Sequence, residues 1–279
     1  MDGKEDHPVA IGGIGGSGTR VGAALLQMLG FYIGDDLNKS LDNLWFTLLF
    51  KRRAILSQTD NEFRTLYSLF KSRMSGRADF SSDDRDLILK VANTARLQHS
   101  KAWLIKRAES FLSGATSRKA VQRWGWKEPN THVVIDRIFA SEPTARYIHF
   151  LRHPLDMALS NNQSQLEQWG PMFLNREVTI DPPTSLAYWC AAHSRVRAFL
   201  LRWPERALSV EFDELCATPD RYSRRIAEFL GVDLPHRTES DFRDFVGAGR
   251  PSRGRWKAAE LTQMSADDLG YVRDLGYLD

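Results

Sequence analysis

Only two of the 279 residues are cysteine, Cys190 and Cys216, and they lie far apart with no metal-type spacing. Two reduced, partly buried thiols are expected from this. No apolar run approaches the ~20 residues that cross a bilayer. The polar start, Met1 to Pro8, has no signal-peptide core. No transmembrane segment and a cytoplasmic location are the expectations. Charge of one sign is not in great surplus either, since 38 Lys and Arg face 35 Asp and Glu and leave +3. Such a balance describes solvated faces and gives no reason to expect a nucleic-acid partner. A Pro/Ser/Gly-rich linker, an internal repeat and a low-complexity segment are all missing. One domain over 1–279 is therefore favoured over two small ones. With 42% apolar residues the chain can fill a single large core.

What is present begins with an apolar run, Val9-Ala10-Ile11, that ends in Gly12-Gly13-Ile14-Gly15-Gly16-Ser17-Gly18-Thr19-Arg20. Val21, Ala24, Leu25, Met28 and Leu29 then recur at helical spacing, with Gly30 as a stop. The segment reads as strand, glycine loop, helix. From about 41 to 118 the pattern is helical. Phe63, Leu66, Tyr67, Phe70 and Met74 share one face, and Ser82 and Asp83 precede Leu87, Ile88, Val91 and Ala95. These stripes read as core. Strand signals return at 120–126, 146–151 and 207–211. Strands alternating with helices predict an α/β fold, a parallel sheet flanked by helices in three layers, with a helical insertion at 41–118. Ligands of such sheets bind beyond the carboxyl ends of the strands, so the polar clusters found there should meet at one edge.

Glycines let backbone N–H groups approach an anion, and a helix N-terminus adds partial positive charge. Gly13 to Gly18 has the G-x-x-x-x-G spacing of a Walker A loop, but Thr19-Arg20 stands where Lys-Ser/Thr is expected. The missing lysine counts against an ordinary nucleotide triphosphatase. It does not count against a donor that needs no Mg²⁺ between β and γ phosphates. A tight turn with no ligand is the alternative reading of this loop.

Ser17-Gly18-Thr19 resembles the 5′-phosphosulfate loop of sulfotransferases that use 3′-phosphoadenosine 5′-phosphosulfate (PAPS). Thr19-Arg20 is similar to the Gly-Thr-Arg ending of the heparan sulfate branch. The resemblance implies a P-loop nucleotide-hydrolase-like fold and sulfuryl transfer from PAPS to a hydroxyl or amine. It also implies adenosine 3′,5′-bisphosphate as product and no metal. Gly15, Gly16, Ser17, Gly18, Thr19 and Arg20 would then hold the 5′ end of the nucleotide. The family usually carries a lysine where Gly16 stands, so a cation must come from elsewhere, Arg20 or Lys127. Arg152 and Ser160 have the separation of the family's 3′-phosphate pair, and an arginine fork suits phosphate oxygens. In isolation, Arg152 could equally make a surface ion pair. The late stretch from Gly249 to Lys257 is similar to the loop that closes over the 3′-phosphate. Gly254, Trp256 and Lys257 match its Gly-x-Trp-Lys ending, Arg250 and Arg253 supply charge, and Pro251 replaces an expected glycine. Glu211-Phe212-Asp213-Glu214-Leu215 resembles another family stretch, with Phe212 in place of tyrosine. The matches run from 9 to 262 but leave 41–118 without a counterpart.

Sulfuryl transfer needs a base for the acceptor's proton and cations for the charge on the transferring group and leaving phosphate. Asp35 and Asp36 stand where heparan- and tyrosine-sulfating relatives place a catalytic glutamate, with the choice between them open. The two could instead cap the segment that follows. Lys127 resembles the family lysine that contacts the bridging oxygen or sulfuryl group, and Glu128 is the second choice of base. His132 lies five residues after Lys127, not two as in cytosolic members, and reads as a histidine at a helix start. Two other classes stay open. One is a P-loop kinase or nucleotide phosphotransferase with an altered lysine; the other is a non-catalytic nucleotide-binding protein. The acceptor, whether small molecule, carbohydrate or lipid, is not written in these motifs, and neither is the oligomeric state.

Overall fold

The computed structural model describes residues 7–76, 79–113, 123–248 and 254–278. Four strands, β1 (Val9–Gly13), β2 (Gly125–Lys127), β3 (Arg146–Leu151) and β4 (Ala207–Glu211), form one parallel sheet ordered β2-β1-β3-β4. The register sets Ile11 beside Lys127, Gly13 beside Phe150 and Leu151 beside Glu211. The carboxyl ends of the strands thus share one edge. β2 is shorter than the run at 120–126 suggested. Its ladder begins at Gly125, and Trp124 before it only bridges to Tyr32. Trp124 and Trp126, both fully buried, stack at 5.8 Å, so aromatic packing anchors this segment as much as strand pairing does. Residues 120–122 lie outside the described residues.

The helices in chain order are α1 (Thr19–Met28), α2 (Leu44–Phe50), α3 (Asp60–Met74), α4 (Ser82–Ala92), α5 (Lys101–Ser113), α6 (Ile135–Ser141) and α7 (Pro154–Ala158). They continue as α8 (Ser164–Leu174), α9 (Pro182–Arg202), α10 (Phe212–Ala217), α11 (Pro219–Leu230), α12 (His236–Ala248) and α13 (Ala266–Asp274). Side chains alternate along each strand, as the two-residue period requires. Val9, Ile11, Ile148, Phe150 and Val210 enter a core shared with α1, α10, α11 and α12. Ala10, Trp126, Tyr147, Leu151 and Ala207 enter the opposite core, shared with the remaining helices. Both faces are covered, and that is why these strands read as almost continuously apolar.

The stretch expected to be helical supplies α2 to α5. Phe63, Leu66, Tyr67, Phe70 and Met74 are all buried on one side of α3. On α4, Ile88 and Val91 are buried and Leu87 is only partly covered, while Ala95 is exposed beyond the helix end. The cap of α4 is Ser81, one residue earlier than expected, because Ser81 and Asp84 exchange the reciprocal bonds of a capping box. This layer is not an appendage. Phe46 stacks on Trp126 at 5.6 Å and Phe70 meets the same ring edge-on at 5.3 Å. Each such buried ring contributes about 1.5–3 kcal/mol. Cys190 is buried and Cys216 partly so, and neither is in a disulfide. Among the described residues no helix is long and apolar enough to cross a membrane.

Candidate active site

The glycine loop leaves β1 at Gly13 and enters α1 at Thr19. Gly16 (φ 78°) and Gly18 (φ 82°) both occupy the left-handed region that other residues enter at a cost. Gly18 is also crowded, since a Cβ there would stand 2.1 Å from the Phe212 ring. Around Gly16 a Cβ would meet nothing within 4 Å. Gly18 is the N-cap of α1; the Val21 amide donates to its carbonyl at 2.9 Å, and no side chain caps the amides that precede it. Beside them the Ser17 hydroxyl is buried without a hydrogen-bond partner. The loop is braced from α8 by one side chain. The Gly15 amide donates to Gln165 Oε1 at 2.9 Å, and Gln165 Nε2 donates to the Gly13 carbonyl at 3.1 Å. Thr19 is buried at the helix start, whereas Arg20 is exposed.

Arg152 follows β3 and lies against this same loop. Its Nη1 donates to the Gly16 carbonyl at 3.3 Å, and its guanidinium carbon sits 6.0 Å from the Phe212 ring centre. Phe212 therefore packs between Gly18 and Arg152, even though it lacks a tyrosine's hydroxyl. The helix that opens after Arg152, α7, has five residues and stops before Ser160. The chain therefore leaves the helix before it reaches Ser160. Ser160 is half-buried, and its hydroxyl accepts from the Asn162 amide at 3.2 Å.

The late basic segment docks next to Arg152. Buried Asp156 accepts from the Gly254 amide at 2.8 Å and from the Trp256 amide at 3.2 Å. Arg255 donates to the Asp156 carbonyl at 2.9 Å, and Trp256 stacks on His153 at 4.7 Å. An open cavity of about 480 Å³ lies here, lined in part by Asp213, Trp256, Lys257 and Tyr277. Gly254 has φ 71°, suited to glycine. Arg250 and Arg253 lie outside the described residues.

At the other end of the edge, Lys127 closes β2. Its ammonium is buried, pairs with Asp42 Oδ1, and donates to the Ser40 carbonyl at 3.0 Å. The expected carboxylates have other commitments. Asp36 pairs with Arg107 at 2.6 Å, and its backbone carbonyl accepts from the Leu44 amide. The cap of α2 is Asn43, not Asp35 or Asp36. Asp35 is exposed. Glu128 is 2% exposed and caps the short 3₁₀ turn Pro129–Val133, accepting from the Asn130 amide at 2.6 Å and side chain at 2.8 Å. Burial, more than any neighbour, pushes its carboxyl above the usual range.

The sequence profile of the sulfotransferase family matches residues 8–236. The chain belongs to that family. Sulfotransferase STF9 from Mycobacterium avium shares its fold, with a TM-score of 0.51 and 18% identity over 98% of this chain and 77% of that one. Also similar is the sulfotransferase domain from the curacin biosynthetic pathway, with a TM-score of 0.49 and 13% identity over 98% of each chain. A sulfotransferase from Alicyclobacillus acidocaldarius gives 0.43 and 14% over 99% and 97%. A comparison with curated protein sequences finds no match. The parallel sheet with its glycine loop is thus the P-loop-like fold of the sulfotransferases.

Within this sulfotransferase the histidines have structural surroundings. His132 and His149 are fully buried and meet edge-on at 6.2 Å. Burial, helped by Arg195, pushes His132 down to about 3, and burial likewise holds His149 well below the ordinary range. His149 Nδ1 is bonded to the Tyr147 hydroxyl at 2.6 Å. Three residues bonded to the candidate site were not among those expected: Asp42, Gln165 and Asp156. Asp156 lay inside the Arg152–Ser160 stretch, where its acid at the first turn of α7 was a usable signal. Asp42 and Gln165 carry none, because only folding brings them to Lys127 and the loop.

Proposed function

We propose that this sulfotransferase takes its sulfuryl group from PAPS and passes it to a hydroxyl or amine, releasing adenosine 3′,5′-bisphosphate. The donor assignment is carried by the contact of Arg152 with the Gly16 carbonyl. It brings a phosphate-gripping fork and an anion-gripping loop within the reach of one nucleotide. The buried, unpartnered Ser17 hydroxyl supports the same reading. Gly15, Gly16, Ser17, Gly18 and Thr19 hold the 5′-phosphosulfate through amides and hydroxyls, with Arg20 at the rim. Arg152 and Ser160 hold the 3′-phosphate, and Arg250, Arg253 and Gly254 close over it. Lys127 stabilises charge on the transferring group and on the leaving oxygen.

The displacement is in-line. The acceptor's oxygen or nitrogen bonds to sulfur as the bond from sulfur to the 5′-phosphate oxygen breaks, and a carboxylate takes the acceptor's proton. Asp36, Asp35 and Glu128 are the sequence candidates for that carboxylate. No metal is required. The acceptor is a small molecule, carbohydrate or lipid whose binding side is shaped by α2 to α5, and the reaction belongs to the cytoplasm.

Calorimetric titration tests the donor. Adenosine 3′,5′-bisphosphate should bind without Mg²⁺ and about tenfold or more tighter than AMP or ATP, the ~1.5–3 kcal/mol of a charged hydrogen bond to the extra phosphate. Equal or tighter binding of ATP with Mg²⁺ would replace PAPS by a nucleoside triphosphate as the ligand.

A further inference from the structure

We infer that the base for the acceptor's proton is Asp42, presented by a strained loop and paired with Lys127; this rests on the sulfuryl-transfer reading above. The first observation is that two of the three expected carboxylates are committed inside the fold, while the third, Asp35, is exposed. One Asp36 oxygen is bonded to Arg107, and its side chain is 12% exposed. Both Glu128 oxygens are bonded to Asn130, and the residue is sealed. The second Asp36 oxygen has no partner but is buried, so neither residue turns an oxygen to solvent as Asp42 does.

Asp42 differs in both respects. Its side chain is 20% exposed, while the Lys127 side chain it pairs with is 3% exposed, so the pair turns its acid outward. An ammonium has three N–H donors. Lys127 spends one on Asp42 and one on the Ser40 carbonyl, leaving the third for an oxygen of the sulfuryl group. A carboxylate has about four lone-pair sites. Asp42 uses one on Lys127 and one on Asn38 Nδ2 at 2.7 Å, which leaves room for an acceptor hydroxyl.

The loop itself is the second, independent observation. Leu41 has φ 63°, a left-handed conformation that costs a leucine roughly 1–2 kcal/mol. Such strain persists only where the surroundings over-determine it, and it gathers at working sites. Here Asn38 Oδ1 accepts from the Ser40 amide at 2.8 Å and the Asp42 amide at 2.9 Å. Next in the chain, the Asn43 amide donates to the Lys127 carbonyl at 2.7 Å and pins the loop to the end of β2. What the strain achieves is the simultaneous aim of the Ser40 carbonyl and the Asp42 carboxylate at one buried ammonium.

The chemistry balances. The acceptor's O–H proton moves to a free lone pair of Asp42 as the acceptor oxygen bonds to sulfur. The bond from sulfur to the bridging oxygen breaks, and its electron pair leaves on the 5′-phosphate of the bisphosphate. Asp42 then returns the proton to solvent.

The test measures transfer of labelled sulfuryl from PAPS to water, to phenol and to a nitrophenol, together with bisphosphate affinity by calorimetry. Asp42→Asn should keep bisphosphate affinity within about threefold and lose about 10²–10⁴-fold in transfer to phenol. Its loss with the nitrophenol should be much smaller, because that acceptor arrives largely ionised. Equal losses with both phenols would make Asp42 a support for Lys127 and overturn the assignment, and so would unchanged transfer by Asp42→Asn. Tight bisphosphate binding without any transfer by the wild type would overturn it as well. A wild type that neither binds the bisphosphate nor transfers would instead overturn the sulfuryl-transfer reading.

Discussion

Gly16 and Gly18 offer an internal control for one another. Both have nearly the same backbone angle, φ 78° and φ 82°, so alanine at either bears the same left-handed penalty of about 1–2 kcal/mol. Each also stiffens the unfolded chain equally, and that part cancels in a comparison. They differ in space. At Gly16 the added methyl meets nothing within 4 Å, while at Gly18 it would stand 2.1 Å from the Phe212 ring. Phe212 is wedged against Arg152 and cannot retreat freely. Overpacking of this kind costs about 1–3 kcal/mol more. Gly16→Ala should therefore lose ~1–2 kcal/mol and Gly18→Ala ~2–5 kcal/mol. At about 2 °C per kcal/mol for a domain of this size, Tm should fall by roughly 2–4 °C and 4–10 °C. Urea midpoints and calorimetric melts of the two variants supply the comparison. Because the clash also shifts Arg152, Gly18→Ala should weaken bisphosphate binding more than Gly16→Ala does. Equal destabilisation by the two substitutions would show that the Phe212 contact does not govern the loop, and the reasoning would fail.

Arg152→Lys keeps the charge and loses the fork, so bisphosphate affinity should drop about tenfold while AMP binding changes little; calorimetry with both ligands checks this. Leu41→Gly removes the left-handed penalty at φ 63°, and thermal melting should show stability unchanged or raised by up to ~1 kcal/mol. Transfer should fall all the same, as the loop around Asp42 loosens. Burial lowers His132 to about 3 and His193 to about 4, against 6.5 when unfolded. The unfolded chain therefore binds more protons as pH falls from 6.5 towards 4, and stability should drop through that window by about 1.4 kcal/mol per pH unit for each histidine. His132→Leu should flatten the slope of urea stability against pH by one proton's worth.

The sheet was legible because its strands obey local rules. The runs at 146–151 and 207–211 coincide with β3 and β4, and the glycine loop sits where a strand meets a helix. The aromatic face of α3 was equally plain, since its residues recur at the spacing of one helical side. Failures came where tertiary contact overrides local pattern. Before Gly125 the backbone pairs with Tyr32 through an isolated bridge while Trp124 and Trp126 stack, so the ladder begins later than the run suggested. Asp35 and Asp36 were equal candidates for the base, and nothing local showed that Arg107, which folding brings from α5, pairs with Asp36. No local signal connects Asp36 to a residue 71 positions away, nor Lys127 to Asp42 across 85. The motifs located the edge where chemistry belongs, but side-chain pairing across the helical layer decides which acid faces outward.

Gln165 has a mechanical consequence. Its amide grips the glycine loop from both sides, and the helix that carries it is itself tethered to the 41–118 layer. Arg53 holds the Gln168 and Glu167 carbonyls, and Gln98 holds the Ser164 carbonyl and the Glu167 side chain. On the function proposed above, a guest that prises the aromatic layer away from α8 also tugs on the glycine loop.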